Sequence, residues 1–121
     1  MTVEELQHRL RQFAQERSWE QFHTPKNLVM ALAGEAGELL ELFQWLTPDE
    51  SAEIMADPQT AVQVRHEMAD VLAYLLRLAD VLQVDLLSAL SDKIAVNGAK
   101  YPAELARGTA RKYDQLGKGD K

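Results

Sequence analysis

The apolar residues of this chain recur with the period of a helix, and no stretch alternates in the manner of a half-buried strand. Thr2 and Glu5 form a capping-box pattern that predicts a first helix running to about Trp19. Thr24, followed by a proline at the position where a helix tolerates it best, predicts a second helix that continues to about Leu46. The pattern therefore predicts an all-α protein.

Three further helices complete the predicted series. Thr47 opens a short, acidic connecting helix that ends near Pro58, and a long helix runs from there to about Gln83. Asp85 caps a last helix of medium length, which ends where Pro102 forbids continuation. The predicted architecture is a helical bundle of four main helices plus one short connecting helix.

A chain of 121 residues corresponds to one domain, which we place at residues 1–102. Residues 103–121 are rich in lysine and arginine, and their glycine-free and proline-free runs are too short for a stable helix. These residues are predicted to form a basic, partly mobile C-terminal tail, with disorder over residues 117–121.

Composition narrows the function classes. With 19 acidic and 13 basic residues, the net charge of -6 argues against binding of a nucleic-acid polymer through a basic surface. The absence of cysteine excludes disulfides, thiolate zinc sites and a cysteine nucleophile. The first residues lack the pattern of a signal peptide, and no stretch approaches the ~18 apolar residues of a membrane span. We therefore expect a soluble, cytoplasmic protein without a membrane partner.

Two pairs of carboxylates lie inside the two most apolar stretches of the chain: Glu35 with Glu38, and Glu67 with Asp70. Buried acids are costly unless they are protonated, paired with a cation or bound to a metal, and no lysine or arginine lies within seven positions of the first pair. Residues three apart on a helix project together, so two adjacent helices would bring four carboxylates to one place. Such an oxygen-only set suits Mg²⁺ or Mn²⁺.

Two alternative roles for these carboxylates compete with a magnesium or manganese site. Glutamates three apart on a helix commonly lie on a solvated face, but the apolar residues around these pairs favour a buried position. A ferritin-like di-iron centre also uses bundle carboxylates, but it needs Glu-x-x-His pairs, which this chain lacks. The nearest histidine, His66, is adjacent to Glu67 and points elsewhere.

The same apolar helices bear on assembly. A helix that is apolar nearly all round belongs in the middle of a structure, and 121 residues provide too few other elements to surround two such helices. We therefore predict a bundle that a second copy of the chain completes.

The spacing Glu-x-x-Glu, 28 residues, then Glu-x-x-Asp resembles the signature of the all-α nucleoside triphosphate pyrophosphohydrolases, the MazG-like superfamily. Further segments resemble the dCTP pyrophosphatase branch of that superfamily: residues 17–23, 34–39, 41–45, 70–75, 100–102 and 107–113. The likeness spans roughly residues 13–116.

That resemblance implies Mg²⁺-dependent hydrolysis of a nucleoside triphosphate between its α and β phosphates, which gives the monophosphate and pyrophosphate. It implies dCTP and 5-modified dCTP as substrates, in nucleotide-pool sanitation. Carried over by position, Glu35, Glu38, Glu67 and Asp70 would be the magnesium ligands. A carboxylate oxygen of Glu38 or Glu41 would accept the proton of the attacking water, and the choice between the two stays open.

The resemblance also implies residues that bind the nucleoside. Trp19 and Trp45 would flank the base, with a stacking gain of ~1 to 3 kcal/mol for each contact. His23 would either hydrogen-bond the base edge or cap the next helix. Tyr74 would either close a pocket for deoxyribose or pack in the core.

Residues of the last predicted helix complete the predicted substrate contacts. Lys93 and Asn97 are four apart and share a helix face, from which they could meet phosphate and the sugar or base respectively. Tyr101 and the basic tail would fold over the triphosphate, or the tail would stay solvated and mobile. The branch is tetrameric, built as a dimer of dimers, which implies the same homo-oligomer here.

The sequence defines the substrate less closely than the reaction type. The segment between Trp45 and Glu67 varies among branches and here contains a short acidic helix, so dUTP or a broad set of triphosphates stays an alternative to dCTP. A different class of function is a catalytically silent, nucleotide-binding helical oligomerisation module that keeps the metal site for stability. The presence of all four carboxylates favours the enzyme.

Overall fold

The computed structural model describes residues 1–117, a range that contains helices and no strand. Its α-helices are α1 (Val3–Glu16), α2 (Pro25–Phe43), α3 (Pro48–Ala52), α4 (Pro58–Leu82), α5 (Leu86–Lys100) and α6 (Ala103–Ala106). The predicted all-α class is confirmed, with four long helices and the short connecting helix α3. The disorder predicted for residues 117–121 falls, after Gly117, outside the described residues.

The helices begin where the sequence predicted, because the capping residues make the expected hydrogen bonds. The side chains of Thr2, Thr24 and Thr47 each accept a hydrogen bond from the backbone N–H three residues later. Asp57 and Asp85 accept corresponding bonds at the starts of α4 and α5. Each cap contributes about 1 kcal/mol to helix stability.

Two helices end earlier than their patterns predicted. α1 stops at Glu16 rather than near Trp19, because Ser18 adopts the left-handed conformation with a φ of 53°. α2 stops at Phe43, three residues before its predicted end, and a turn follows. Both tryptophans of the chain, Trp19 and Trp45, therefore lie in connecting segments rather than in the long helices.

The connecting helix and the tail also differ from their predictions. α3 ends at Ala52, and a separate 3₁₀ turn, Ile54–Ala56, fills the rest of the segment before α4. After Pro102 the sequence predicted no stable helix, whereas the structure has the single helical turn α6 and a 3₁₀ turn at Tyr113–Gln115. A single turn of this kind needs few backbone bonds, which is why short runs can form it.

The described chain divides into two compact units, Met1–Val84 and a second that begins at Asp85. In the first unit α4 is the central helix, because both α2 and α1 pack against it. The buried apolar side chains come from these three helices: Ala14, Leu28, Val64, Leu76 and Ala79. Carboxylates on α2 and α4 therefore lie on helices in direct contact.

The second unit contains α5 and α6. At the end of α5, Tyr101 contacts Tyr113 edge to face, with ring centroids 6.4 Å apart. The Lys100 ammonium lies 5.2 Å from the centroid of the Tyr113 ring. The domain boundary that the sequence suggests after residue 102 stays a prediction. Within residues 1–117, no helix combines the length and the apolar character needed to cross a membrane.

Candidate active site

Packing of α2 against α4 brings together the carboxylates of Glu35, Glu38 and Glu67, which we call the carboxylate cluster. One carboxylate oxygen from each residue lies within 4.8 Å of the others. Glu35 and Glu38 are neighbours because they are three apart on α2, and Glu67 approaches them from α4. The convergence predicted for two adjacent helices is present for these three residues.

Glu38 of the carboxylate cluster is exposed, whereas Glu35 and Glu67 are half-buried. The Oε2 atoms of Glu35 and Glu67 are buried and have no hydrogen-bond partner within the described residues 1–117. Burial and the neighbouring carboxylates, Glu38 foremost, raise the pKa of Glu35 to about 7. Burial and Glu38 likewise raise the pKa of Glu67 above its usual range. Carboxylate oxygens that lack a partner and lie among like charges destabilise a fold. The same oxygens are suitable ligands for a hard divalent cation.

Asp70 and Glu41 extend the acidic region to either side. Asp70 is exposed one turn after Glu67, and its negative charge contributes to the raised pKa values of Glu35 and Glu67. Glu41 is exposed one turn after Glu38 and is not among the three clustered residues. The structure thus places Asp70 near the cluster, where its role as a fourth ligand stays a prediction.

A cavity of about 260 Å³ opens beside Asp70, between α1, the segment that follows α1, and α4. Its aromatic walls are Phe13, Trp19 and Tyr74, and its other polar walls are His23 and Arg77. We call it the aromatic cavity. A concave, largely apolar space with a few polar groups is the usual form of a small-molecule site. Asp70 joins this cavity to the acidic region.

The structure therefore brings three of the predicted nucleoside contacts, Trp19, His23 and Tyr74, to one place. Other predicted contacts are not among the residues that line this cavity. Trp45 is 86% exposed and is not part of the cavity wall. Lys93 and Asn97 are exposed on α5, in the second unit. Their contacts with a substrate, and that of Tyr101, stay predictions.

Phe13 also lines the cavity, which the sequence did not predict because this residue fits the apolar stripe of α1. In the structure its ring meets that of Trp19 edge to face, with centroids 5.8 Å apart. The Arg17 guanidinium lies over the Phe13 ring, 3.6 Å from its centroid. Phe13 thus supports the tryptophan wall of the aromatic cavity, and helical periodicity gives no signal for that role.

Three charged residues near the cavity were also not predicted from the sequence: Arg11, Arg77 and Asp80, which we call the arginine-aspartate cluster. Arg11 reaches across from α1 and donates two hydrogen bonds to Asp80, at 3.0 and 2.8 Å. Arg77 donates to Asp80 through Nη1 at 3.1 Å, and to Nδ1 of His23 through Nε at 3.1 Å. Arg11 foremost, together with Arg77, lowers the pKa of Asp80 below its usual range. The sequence does contain a sign of this cluster, because Arg77 interrupts an apolar run and lies three residues before Asp80, on the same face of the helix.

His23 has a partner that the sequence did not predict. Thr24, and not His23, caps α2, so one of the two alternatives for this histidine is excluded. The imidazole instead accepts a hydrogen bond from Arg77. Burial and the positive charge of Arg77 lower the pKa of His23, which keeps the ring neutral near neutral pH.

Comparison with known proteins places these features in a family. The sequence profile of the MazG-like family matches residues 31–116. Human dCTP pyrophosphatase 1 is 46% identical over 118 residues, which cover 98% of this chain and 69% of the human protein. The Mus musculus dCTP pyrophosphatase 1 is 44% identical over the same shares. A pyrophosphatase from Archaeoglobus fulgidus, solved by crystallography, superposes with a TM-score of 0.76 at 43% identity, covering 82% of this chain and 91% of that one.

Proposed function

Because the chain belongs to the MazG-like family, we propose that it hydrolyses dCTP and 5-modified dCTP to the monophosphate and pyrophosphate with Mg²⁺ as cofactor. Its membership of the family makes the chain a nucleoside triphosphate pyrophosphohydrolase. The observation that carries the proposal is the juxtaposition of the carboxylate cluster with an aromatic cavity, through Asp70. Removal of excess or modified nucleotides from the cytoplasmic pool is the role that we infer from this reaction.

The carboxylate cluster fits a magnesium ion. Glu35, Glu38 and Glu67 offer only oxygen atoms, which are the ligands that Mg²⁺ prefers. Two of these oxygens are buried and lack a hydrogen-bond partner in the described part of the chain. We propose these three residues and Asp70 as its ligands, and Mn²⁺ as a substitute. When bound, the ion supplies positive charge for the phosphates and makes water easier to deprotonate.

Two glutamates of α2 are candidates for the proton acceptor. Glu38 belongs to the carboxylate cluster, whereas Glu41 is exposed one turn farther along the helix. A carboxylate that does not hold the ion keeps an oxygen free to accept a proton, which favours Glu41 if Glu38 is fully engaged. Comparison of the Mg²⁺ dependence of Glu38→Gln and Glu41→Gln separates these roles, because excess Mg²⁺ restores a variant that is weakened in metal binding and does not restore one that lacks the base.

The aromatic cavity supplies flat surfaces for a base. Trp19 and Tyr74 line it, and stacking on an aromatic ring contributes ~1 to 3 kcal/mol for each base. We propose that Trp45, Lys93, Asn97 and Tyr101 contribute further contacts to base, sugar and triphosphate. We propose dCTP as the substrate because the human and mouse relatives are dCTP pyrophosphatases.

We also propose that the chain functions as a homo-oligomer, a tetramer built as a dimer of dimers. Large apolar side chains are exposed on α2 and α4, including Met30, Leu40, Met68 and Leu72. Apolar surface of this extent on the helices that carry the carboxylates suits burial against a second copy. Light scattering during gel filtration tests this, and a well-behaved monomer would contradict it.

The decisive assay is a panel of canonical and 5-modified nucleoside triphosphates with Mg²⁺, scored for monophosphate, pyrophosphate and orthophosphate. We expect pyrophosphate as the direct product, with the highest kcat/KM for dCTP and its 5-modified forms. Orthophosphate as the direct product would overturn the cleavage position. Preference for dUTP or equal use of many triphosphates would overturn the substrate, and tight binding without pyrophosphate would indicate the catalytically silent module.

A further inference from the structure

Arg77 is the single buried charged residue within residues 1–117, and only 8% of it is exposed. Its guanidinium is divided between two tasks. Nη1 pairs with Asp80, which also receives both hydrogen bonds from Arg11. Nε is aimed the other way, at Nδ1 of His23, 3.1 Å away. The Asp80 carboxylate therefore balances the buried positive charge, while the Nε–H is directed at the histidine in the cavity wall.

The direction of this hydrogen bond fixes the state of the imidazole. An arginine Nε always carries its proton at accessible pH, so it can only donate. The atom that faces it, Nδ1 of His23, must therefore be the acceptor and carry no proton. In a neutral imidazole the proton is then on Nε2. The lowered pKa of His23 agrees with a neutral ring.

We propose that Arg77 is a positioning residue, which holds His23 as the neutral Nε2–H tautomer so that the aromatic cavity presents one fixed hydrogen-bond donor to its ligand. No described residue from 1 to 117 occupies Nε2 of His23 through a hydrogen bond. A rigid donor discriminates among ligands, because a base that also offers an N–H at that point leaves two donors facing each other.

This inference rests on the proposed function for the identity of the ligand and deepens it. Among pyrimidines, N3 of cytosine is an acceptor, whereas N3 of uracil and thymine carries a proton. A fixed N–H that faces N3 of the base therefore favours cytosine over uracil, and this inference assigns Nε2 of His23 to that position. Arg77 would contribute to that choice through His23, by fixing which ring nitrogen carries the proton.

The test uses two substitutions of similar length, of which only one keeps an N–H at the position of the arginine Nε. Both Arg77→Gln and Arg77→Met remove Nη1 and its pairing with Asp80. The glutamine amide nitrogen stands at the same number of bonds from the backbone as the arginine Nε, so it keeps an N–H for His23. Methionine places a methyl group there and keeps none. A purely structural role through Asp80 would affect both variants equally.

The first measurement is ¹⁵N NMR of the imidazole rings in the full-length chain. The chain has three histidines, and His8 and His66 are exposed internal references. We expect His23 to show a protonated Nε2 and a hydrogen-bonded, unprotonated Nδ1 in the unmodified chain and in Arg77→Gln. In Arg77→Met we expect averaging between tautomers. A proton on Nδ1 of His23 in the unmodified chain would overturn the proposal whether or not the variants fold.

The second measurement is steady-state kinetics with dCTP and dUTP. In Arg77→Met we expect KM for dCTP to rise by roughly 5- to 10-fold, the size expected for one lost hydrogen bond, with kcat changed by less than about twofold. The preference for dCTP over dUTP should fall by a similar factor, and Arg77→Gln should restore most of both. Equal KM values in the two variants, or an unchanged preference, would overturn the proposal.

The outcomes separate this inference from the proposed function. If the unmodified chain releases no pyrophosphate but His23 has the expected tautomer and loses it in Arg77→Met, the proposed reaction fails and the role of Arg77 stands. If pyrophosphate is released and the tautomer does not depend on Arg77, the reaction stands and the role of Arg77 fails.

Discussion

The central helix α4 carries two groups of ionisable side chains that are balanced in opposite ways. In the arginine-aspartate cluster, Asp80 accepts hydrogen bonds from both Arg11 and Arg77, so the buried Arg77 is paired with a carboxylate, while the charge of the partly exposed Arg11 is also solvated. In the carboxylate cluster, Glu67 meets two more acids, and its buried Oε2 has no hydrogen-bond partner among residues 1–117. The first group pairs acid with base, whereas the second brings acids together.

The difference shows how to separate structural charges from functional ones in a small helical protein. A compensated buried group gains stability from its partners, and the pKa of Asp80 is lowered as a result. An uncompensated group costs stability, and the pKa of Glu35 is raised to about 7. A fold keeps such a cost where a ligand removes it, which is why acids with raised pKa values point to a site.

The largest expected effect comes from removing one acid of the carboxylate cluster. Glu38→Gln keeps the side-chain shape but deletes a proposed magnesium ligand, so kcat/KM should fall by more than about 100-fold, the upper range for outer-shell partners of a metal. Because it also removes a like charge, the melting temperature in EDTA should stay constant or rise. Pyrophosphate release and calorimetry measure the two effects. Full activity in Glu38→Gln, with exposed Glu4→Gln as the control, would refute the site.

The opposite result is expected in the arginine-aspartate cluster. Asp80→Asn leaves the buried Arg77 without its carboxylate, and breaking a buried pair in this way costs about 3 to 5 kcal/mol of the free energy of unfolding. Urea denaturation measures this loss. The exposed Asp92→Asn serves as the matched control. If Asp80→Asn lost no more of the free energy of unfolding than the control, the pairing of Asp80 with Arg77 would not stabilise the fold, and the contrast with the carboxylate cluster would fail.

The pH dependence of stability should also have opposite signs in the two clusters. The folded pKa of Glu35 is raised from 4.5 to about 7, so its contribution is complete below 4.5 and is lost as pH rises toward 7. Asp80, with its lowered pKa, loses its contribution as pH falls through that folded pKa. Mg²⁺ competes with protons for the glutamates and should therefore raise the melting temperature more at about pH 8 than at about pH 5.

Thermal melts in EDTA and in Mg²⁺ at both pH values test that expectation. Glu38→Gln should weaken the response to Mg²⁺, and Asp92→Asn should leave it unchanged. If Mg²⁺ raised the melting temperature equally at both pH values, the ion would bind somewhere other than at the carboxylate cluster.

The smallest expected effect tests the outer part of the compensated cluster. The Arg11 side chain is 42% exposed, so its pair with Asp80 is screened by solvent and Arg11→Met should cost about 1 kcal/mol or less in the free energy of unfolding. Arg77 keeps Asp80 as its partner in this variant. The ¹⁵N signature of His23 should therefore not change, and a change would show that Arg11 also takes part in holding the imidazole.

Local sequence determined the helices and most of their starts. Thr24, Thr47 and Asp85 cap the helices that they were predicted to cap, because a cap is a hydrogen bond within a few residues. The ends were harder to predict. Ser18 adopts a left-handed backbone conformation, which serine rarely does. The early end of α1 therefore could not be predicted from the pattern of apolar residues.

Some residues of the candidate site could likewise be predicted from the sequence, and others could not. Pairing of Glu35 with Glu38 follows from helical spacing alone, and the family resemblance brought in Trp19, His23 and Tyr74. The side chains that support this site could not be found by either route. Phe13 looks like any apolar residue of α1, and its contact with Trp19 exists only because the chain turns back after Glu16.

The sequence by itself determined the all-α class, the pairs of acids on two helices and the reaction type that those pairs suggest, since each depends on spacing within one helix or on family likeness. Only the tertiary structure decided which charges are compensated. Arg11 and Asp80 are 69 residues apart in the chain, and Arg77 and His23 are 54 apart. Electrostatic balance depends on distance in space, and no local pattern encodes the packing that closes such separations.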